Sequence, residues 1–94
     1  MRLSWTRRSL RDLADLQTFI AHESPGAARQ QALIIVAAVE WLTRFPDSGR
    51  PGRVPGTREL VVAQTPFVVA YRLRRDTLEL LAVLHGRRRW PDRF

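Results

Sequence analysis

Between Pro46 and Gly56 the chain alternates proline with glycine: Pro46, Gly49, Pro51, Gly52, Pro55 and Gly56. Neither a helix nor a central strand runs through such a segment, because proline removes a backbone donor and glycine loses the most entropy on ordering. The chain is therefore divided. Its N-terminal half has helical periodicity, and its C-terminal half alternates like strands. With 94 residues in all, the two halves share one core, so the expected class is a single α+β domain spanning 1–94.

Arg2-Leu3-Ser4-Trp5 alternates and reads as a short strand. Thr6 can cap a helix from Arg7 to about Glu23, with Leu10, Leu13, Leu16 or Gln17, and Ile20 on one face. Ser24-Pro25-Gly26 restarts the chain. Ser24 suits an N-cap, and Pro25 suits the first helical position, where its missing N–H costs nothing. The second helix is expected to reach about Phe45, where Pro46 ends it. Its apolar residues form two adjacent stripes, Ala28, Ala32, Ile35, Val39, Leu42 and Ile34, Ala38, Trp41, Phe45. A face that wide predicts contact with both the first helix and a sheet.

Pro46 to Gly56 reads as a loop charged by Arg50 and Arg53. Strands are expected near Thr57–Ala63, Phe67–Leu73 and Thr77–His85, joined by hairpin-length connections into an antiparallel meander. Two-residue turns at Thr65-Pro66 and Arg75-Asp76 would put Leu60, Val62, Phe67, Val69, Tyr71, Leu73, Leu78, Leu80, Ala82 and Leu84 on the helix-facing side. The opposite, open face would carry Glu59, Val61, Ala63, Val68, Ala70, Arg72, Glu79, Leu81, Val83 and His85. This register sets Arg72 between Glu59 and Glu79. The trio reads either as an ion-pair ladder, worth roughly 0.2–1 kcal/mol per pair, or as an acid–base constellation near His85. An adjacent arginine makes a glutamate a poor base, which favours the ladder.

The chain holds no cysteine, so disulfides, thiolate metal sites and cysteine nucleophiles are excluded. With His22 and His85 as the only histidines, no metal site and no cofactor is expected. The N-terminus turns charged at once, without the apolar stretch of a signal peptide. The longest apolar run, Ala32 to Val39, is far short of a membrane span. A cytoplasmic protein with no membrane partner is the expectation. Sixteen basic against nine acidic residues give a net charge of +7. Such a field favours an anionic partner: nucleic acid, ribosome or acidic peptide. His85 ends the last strand, where it either bonds to backbone or serves as a base. Arg87, Arg88 and Arg89 beside Trp90 are either a solvated tail or an anion-binding cluster offering guanidinium forks and a stacking surface.

The order of elements resembles the RelE/ParE family of bacterial toxins over nearly the whole chain. So do particular strings, in order. They are Arg7 to Ile20, Ser24-Pro25-Gly26-Ala27-Ala28, Phe45-Pro46-Asp47-Ser48-Gly49-Arg50, Gly56 to Val62, Pro66 to Arg72, and Val83-Leu84-His85-Gly86-Arg87 with Trp90-Pro91. The resemblance implies the toxin half of a type II toxin–antitoxin pair. It further implies a hetero-oligomer with a cognate antitoxin, acidic and partly disordered when free. Members of the family either cut messenger RNA on the ribosome or poison DNA gyrase. RNA-cutting members carry basic residues on the open sheet face. Matching the middle-strand tyrosine to Tyr71 puts those positions at Glu59, Val61 and Val68 here, and only the arginine after the last strand survives, as Arg87 or Arg88. The Val-Leu-His string looks more like the ParE branch. Expected target-binding residues are Arg72, His85, Arg87, Arg88, Arg89 and Trp90, with Arg50 and Arg53 toward the antitoxin. If the chain is an enzyme, it resembles a metal-free, ribosome-dependent endoribonuclease with His85, Arg87 and Arg88 as catalytic candidates. A third reading is a non-toxic module that binds only antitoxin and DNA.

Overall fold

The computed structural model describes residues 1–87, 91, 93 and 94. Strand β1 (Arg2–Trp5) leads into helix α1 (Arg7–Ala21) and helix α2 (Pro25–Leu42), succeeded by β2 (Arg50–Pro51), β3 (Arg58–Val61), β4 (Phe67–Arg74) and β5 (Thr77–His85). Both helices begin as their sequence dictates. The Thr6 side chain accepts from the Ser9 N–H and that of Ser24 from the Ala27 N–H, each at 3.2 Å. Each cap satisfies an N–H that the first helical turn leaves unpaired.

The helices form a hairpin against one face of a five-stranded sheet ordered β1-β5-β4-β3-β2. β1 runs parallel to β5, and the other pairs are antiparallel. The core joins Leu16 of α1 and Ile35, Val39 and Leu42 of α2 to Val62, Phe67, Val69, Tyr71, Leu78, Leu80 and Val83. The first α2 stripe is buried throughout, as its spacing predicts. The second is only partly covered, and Trp41 and Phe45 stay exposed with ring centroids 5.0 Å apart. On α1 Ser9 and Leu16 are buried, Leu13 and Ile20 are partly buried against the core, and Leu10 faces solvent. Ser9 fits because its hydroxyl donates to the Thr6 carbonyl at 2.8 Å, which removes the penalty for burying it. Among the described residues, no helix is long and apolar enough to cross a membrane.

Three details of the sheet depart from the sequence reading. First, the segment after Pro46 is not wholly loop. Arg50 and Pro51 pair with Glu59 and Arg58 as β2. Second, the β3–β4 turn spans Ala63 to Pro66, since the Val62 N–H donates to the Phe67 carbonyl at 3.0 Å. A two-residue hairpin at Thr65-Pro66 would need positive φ at a β-branched threonine. Instead Gln64 takes the positive φ, 69°. The Thr65 hydroxyl donates to the Val62 carbonyl at 2.9 Å and accepts from the Phe67 N–H at 3.1 Å. Glu59 therefore stands opposite Ala70, two residues from the expected register. An even shift keeps every side chain on its face but parts Glu59 from Arg72. The other turn, Arg75-Asp76, has its expected two residues, with Arg74 opposite Thr77 and Arg72 opposite Glu79.

Third, β5 is bulged. Ala70 opposes Ala82 while Tyr71 opposes Leu80, so Leu81 is the extra residue. The bulge withdraws backbone groups from the ladder, and α1 satisfies them. The Thr6 hydroxyl lies 2.8 Å from the Leu80 carbonyl and 3.2 Å from that of Leu81, and Asp12 Oδ2 accepts from the Val83 N–H at 3.0 Å. Beyond the bulge the faces exchange. Val83 and His85 oppose Val69 and Phe67 on the helix side, and Ala82 and Leu84 oppose Ala70 and Val68 on the other.

Candidate functional site

The second sheet face is less open than the alternation suggests, since Val68, Ala70 and Ala82 are buried and Val61 is exposed. Glu59 is 3 % exposed. Its Oε1 accepts from Arg50 Nη2 at 3.2 Å, and its Oε2 accepts from the Arg53 backbone N–H at 2.7 Å. This carboxylate is an acceptor that pins β2 and the adjoining turn to β3. Arg72 meets Glu79 in a close ion pair. The expected three-residue ladder is thus two separate pairs, Arg50–Glu59 and Arg72–Glu79. No acid–base constellation with His85 forms. Six residue steps along β5 separate Glu79 from His85, about 20 Å at strand rise, and the bulge turns them to opposite faces.

His85 packs edge-on against Phe67, with ring centroids 5.7 Å apart, and its Nδ1 accepts from the Arg87 backbone N–H at 3.1 Å. That bond assigns the imidazole proton to Nε2 when the ring is neutral. It also matches the expectation that a strand-end histidine bonds to backbone. The ring borders a groove of about 490 Å³ between α1 and the end of the sheet. Asp12, Asp15, Phe19 and Gln31 line its helical side, and Phe67, Val83 and Leu84 the strand side. Gln31 Oε1 is buried there without a hydrogen-bond partner among the described residues. The sequence reading missed these four helical residues. Their signal was slight: Asp12 and Gln31 are polar residues beside the apolar stripes of α1 and α2.

Of the remaining expected site residues, Arg87 is exposed one residue past Gly86. Arg88, Arg89 and Trp90 lie outside the described residues. Arg50 keeps 54 % of its side chain exposed while holding Glu59, and Arg53 is exposed in the loop after β2. His85 and Arg87 are neighbours. Arg72 and Arg50 lie on other strands of the sheet, and Arg53 lies in the loop after β2.

The loop bearing Arg50 is held from beneath by Tyr71, the only tyrosine in the chain. Its hydroxyl donates to the Pro46 carbonyl at 2.7 Å and accepts from the Gly49 N–H at 2.9 Å. Burial pushes the phenol above its ordinary value of 10.0, outweighing the hydrogen bond from Gly49 and the Arg58 guanidinium, which lower it. A phenol whose pKa is raised on folding leaves stability intact below pH 10 and removes it as pH climbs past that value. Tyr71→Phe is therefore expected to unfold about 1–3 kcal/mol more easily near neutral pH, where two backbone groups lose their partner. It should also weaken the alkaline step of the parent. Phenolate absorbance tracked across the alkaline unfolding of the parent reports this one group. A phenol that ionises before the fold is lost would count against the assignment.

The fold superimposes on a chain of the chromosomal ParDE toxin–antitoxin system of P. aeruginosa with a TM-score of 0.81 and 29 % identity, over 88 % of this chain and 92 % of that one. That shared fold, a helix hairpin on a mixed sheet, together with the family match below, defines a RelE/ParE-class toxin. The family model for the ParE toxin of type II toxin–antitoxin systems, parDE, matches residues 3–90, and the chain belongs to that family. Y4kP of Sinorhizobium fredii, which carries a provisional toxin designation, is 43 % identical over 97 % of this chain and 94 % of its own. Toxin RelE2 of Caulobacter vibrioides is 33 % identical over 89 % of this chain and 93 % of its own. The protein is the toxin component of a type II toxin–antitoxin pair.

Proposed function

We propose that this toxin stops growth by poisoning DNA gyrase and not by cutting messenger RNA, and that an acidic antitoxin segment neutralises it. The observation that carries the reading is the second sheet face. A metal-free nuclease must supply positive charge to a phosphorane. The positions that match the basic residues of RNA-cutting relatives are Glu59, Val61 and Val68. Glu59 and Val68 are each 3 % exposed, and the Glu59 carboxylate is occupied by Arg50 and the Arg53 N–H. At these three positions the face offers no cation to an RNA phosphate, and the arginines beside them, Arg50 and Arg72, are engaged by Glu59 and Glu79. His85, bonded to the Arg87 backbone and packed on Phe67, fits a positioning role for the chain beyond it better than a base. The ParE family match agrees with this choice.

For the antitoxin, the exposed Trp41 and Phe45 supply an apolar seat close in sequence to the cations Arg50 and Arg53. A segment carrying apolar side chains and carboxylates suits that combination, and folding on binding lets it wrap a large surface. The target is tested by expressing the chain in cells without antitoxin and comparing gyrase-linked DNA breaks with cuts at ribosome-bound codons. Breaks without cuts are expected. Cuts without breaks would replace this proposal with ribosome-dependent cleavage, and neither, with normal growth, would leave a binding module.

A further inference from the structure

The end of the sheet far from His85 holds a second concentration of charge. The β4–β5 hairpin tip lies against the start of β1, where the Arg2 N–H donates to the Asp76 carbonyl at 2.8 Å. Arg2, Arg74 and Arg75 there surround an open cleft of about 750 Å³, completed by Asp76, Thr77 and Glu79. Glu79 is already neutralised by Arg72. Among the described residues, none of the three cleft arginines takes part in an ion pair.

The backbone supplies an independent observation. Arg75 holds φ of 56° at the first position of a two-residue hairpin, where glycine is the residue of least cost. An outlier of this kind points from strain to use. The turn thus places the exposed Arg75 guanidinium at the hairpin tip despite the cost of a positive φ.

From these observations we infer that the hairpin cleft is a binding site for the phosphate backbone of duplex nucleic acid. The lining selects this ligand. Among the described residues no apolar side chain borders the cleft, so a peptide would find no anchor there of the kind that carries protein interfaces. No aromatic ring among the described residues borders it either, so these residues supply none of the stacking that holds single strands. Arginine forks and a threonine hydroxyl are what phosphate oxygens require, and contacts to phosphate alone sustain sequence-independent duplex binding. The site holds whichever target the toxin poisons, because it shares no residue with the His85 end or the Arg50–Arg53 loop.

Fluorescence anisotropy of the purified chain with a labelled duplex of arbitrary sequence tests the site across roughly 50–200 mM salt. The triple variant Arg2→Gln, Arg74→Gln, Arg75→Gly should bind at least about tenfold more weakly, and its log–log salt slope should fall by about 2–3. Arg75→Gly alone should weaken binding and melt no lower than the parent, since glycine relieves the positive φ. The control is Arg11→Gln, Arg29→Gln, Arg44→Gln, which removes the same charge from exposed positions on the two helices and in the turn after α2. It should retain most of the affinity. An equal loss in the control would reduce the effect to net charge and overturn the site. So would unchanged binding by the first triple variant, or tighter binding of poly-glutamate or a single strand than of the duplex.

Discussion

Replacing Arg87 and Arg88 with alanine is expected to abolish growth inhibition while leaving the protein folded. Arg87 is exposed and comes directly after Gly86, so its start is held by β5. The bond it gives His85 comes from backbone and survives the substitution. A substitution at the exposed Arg87 changes stability by no more than about 0.5 kcal/mol. Each charge-assisted hydrogen bond lost at a target removes about 1.5–3 kcal/mol, so two together lower affinity roughly 10²- to 10⁴-fold. Cells expressing the double variant without antitoxin should grow like those carrying an empty vector. Antitoxin should still bind through apolar contacts, and co-purification reads this out. Unaltered toxicity would make the arginines a solvated end. A non-toxic but unfolded variant would instead assign them to the core.

Gly49→Ala should be strongly destabilising. Gly49 is buried beneath the loop, and a Cβ built there would lie 2.5 Å from the Tyr71 hydroxyl, 2.7 Å from its Cε1 and 3.0 Å from the Glu59 carbonyl oxygen. Two of those atoms belong to a fully buried ring and one to a paired strand, so none can give way cheaply. Overpacking of this kind costs about 1–3 kcal/mol, and loss of the Tyr71 hydrogen bonds adds a similar amount. At 4–8 °C per kcal/mol for a domain of this size, thermal unfolding should drop by about 10 °C or more. The loop that presents Arg50 and Arg53 loosens with it, so antitoxin binding should fall too. Combining Gly49→Ala with Tyr71→Phe should cost less than the sum of the two, because the second change removes the oxygen that the methyl meets first. Strict additivity, or a melting shift under about 3 °C, would show that the loop is not seated on Tyr71.

Local chemistry alone determined much of this protein. Thr6 and Ser24 with Pro25 start the helices, the spacing of Ala28, Ala32, Ile35, Val39 and Leu42 selects the buried face, and Arg75-Asp76 makes the hairpin that opposes Arg72 to Glu79. Each rests on a few adjacent residues, and the strings shared with the toxin family lie along the same elements. The candidate site was legible only in part. Arg87 and His85 could be picked out as residues, but not the direction in which His85 faces. Leu80-Leu81-Ala82-Val83-Leu84 is apolar at every position, so alternation carries no phase there, and either face is compatible with it. The phase is decided by α1, whose Thr6 and Asp12 meet the Leu80 and Leu81 carbonyls and the Val83 N–H and thereby stabilise the bulge. Thr6 lies 74 residues from Leu80 in the chain. The same holds for Glu59. Its partner depends on the length of a turn at Ala63–Pro66 and on a strand at Arg50–Pro51 too short to carry a pattern. Residues remote in sequence satisfy these backbone and carboxylate groups, and only the folded chain brings them within hydrogen-bond reach.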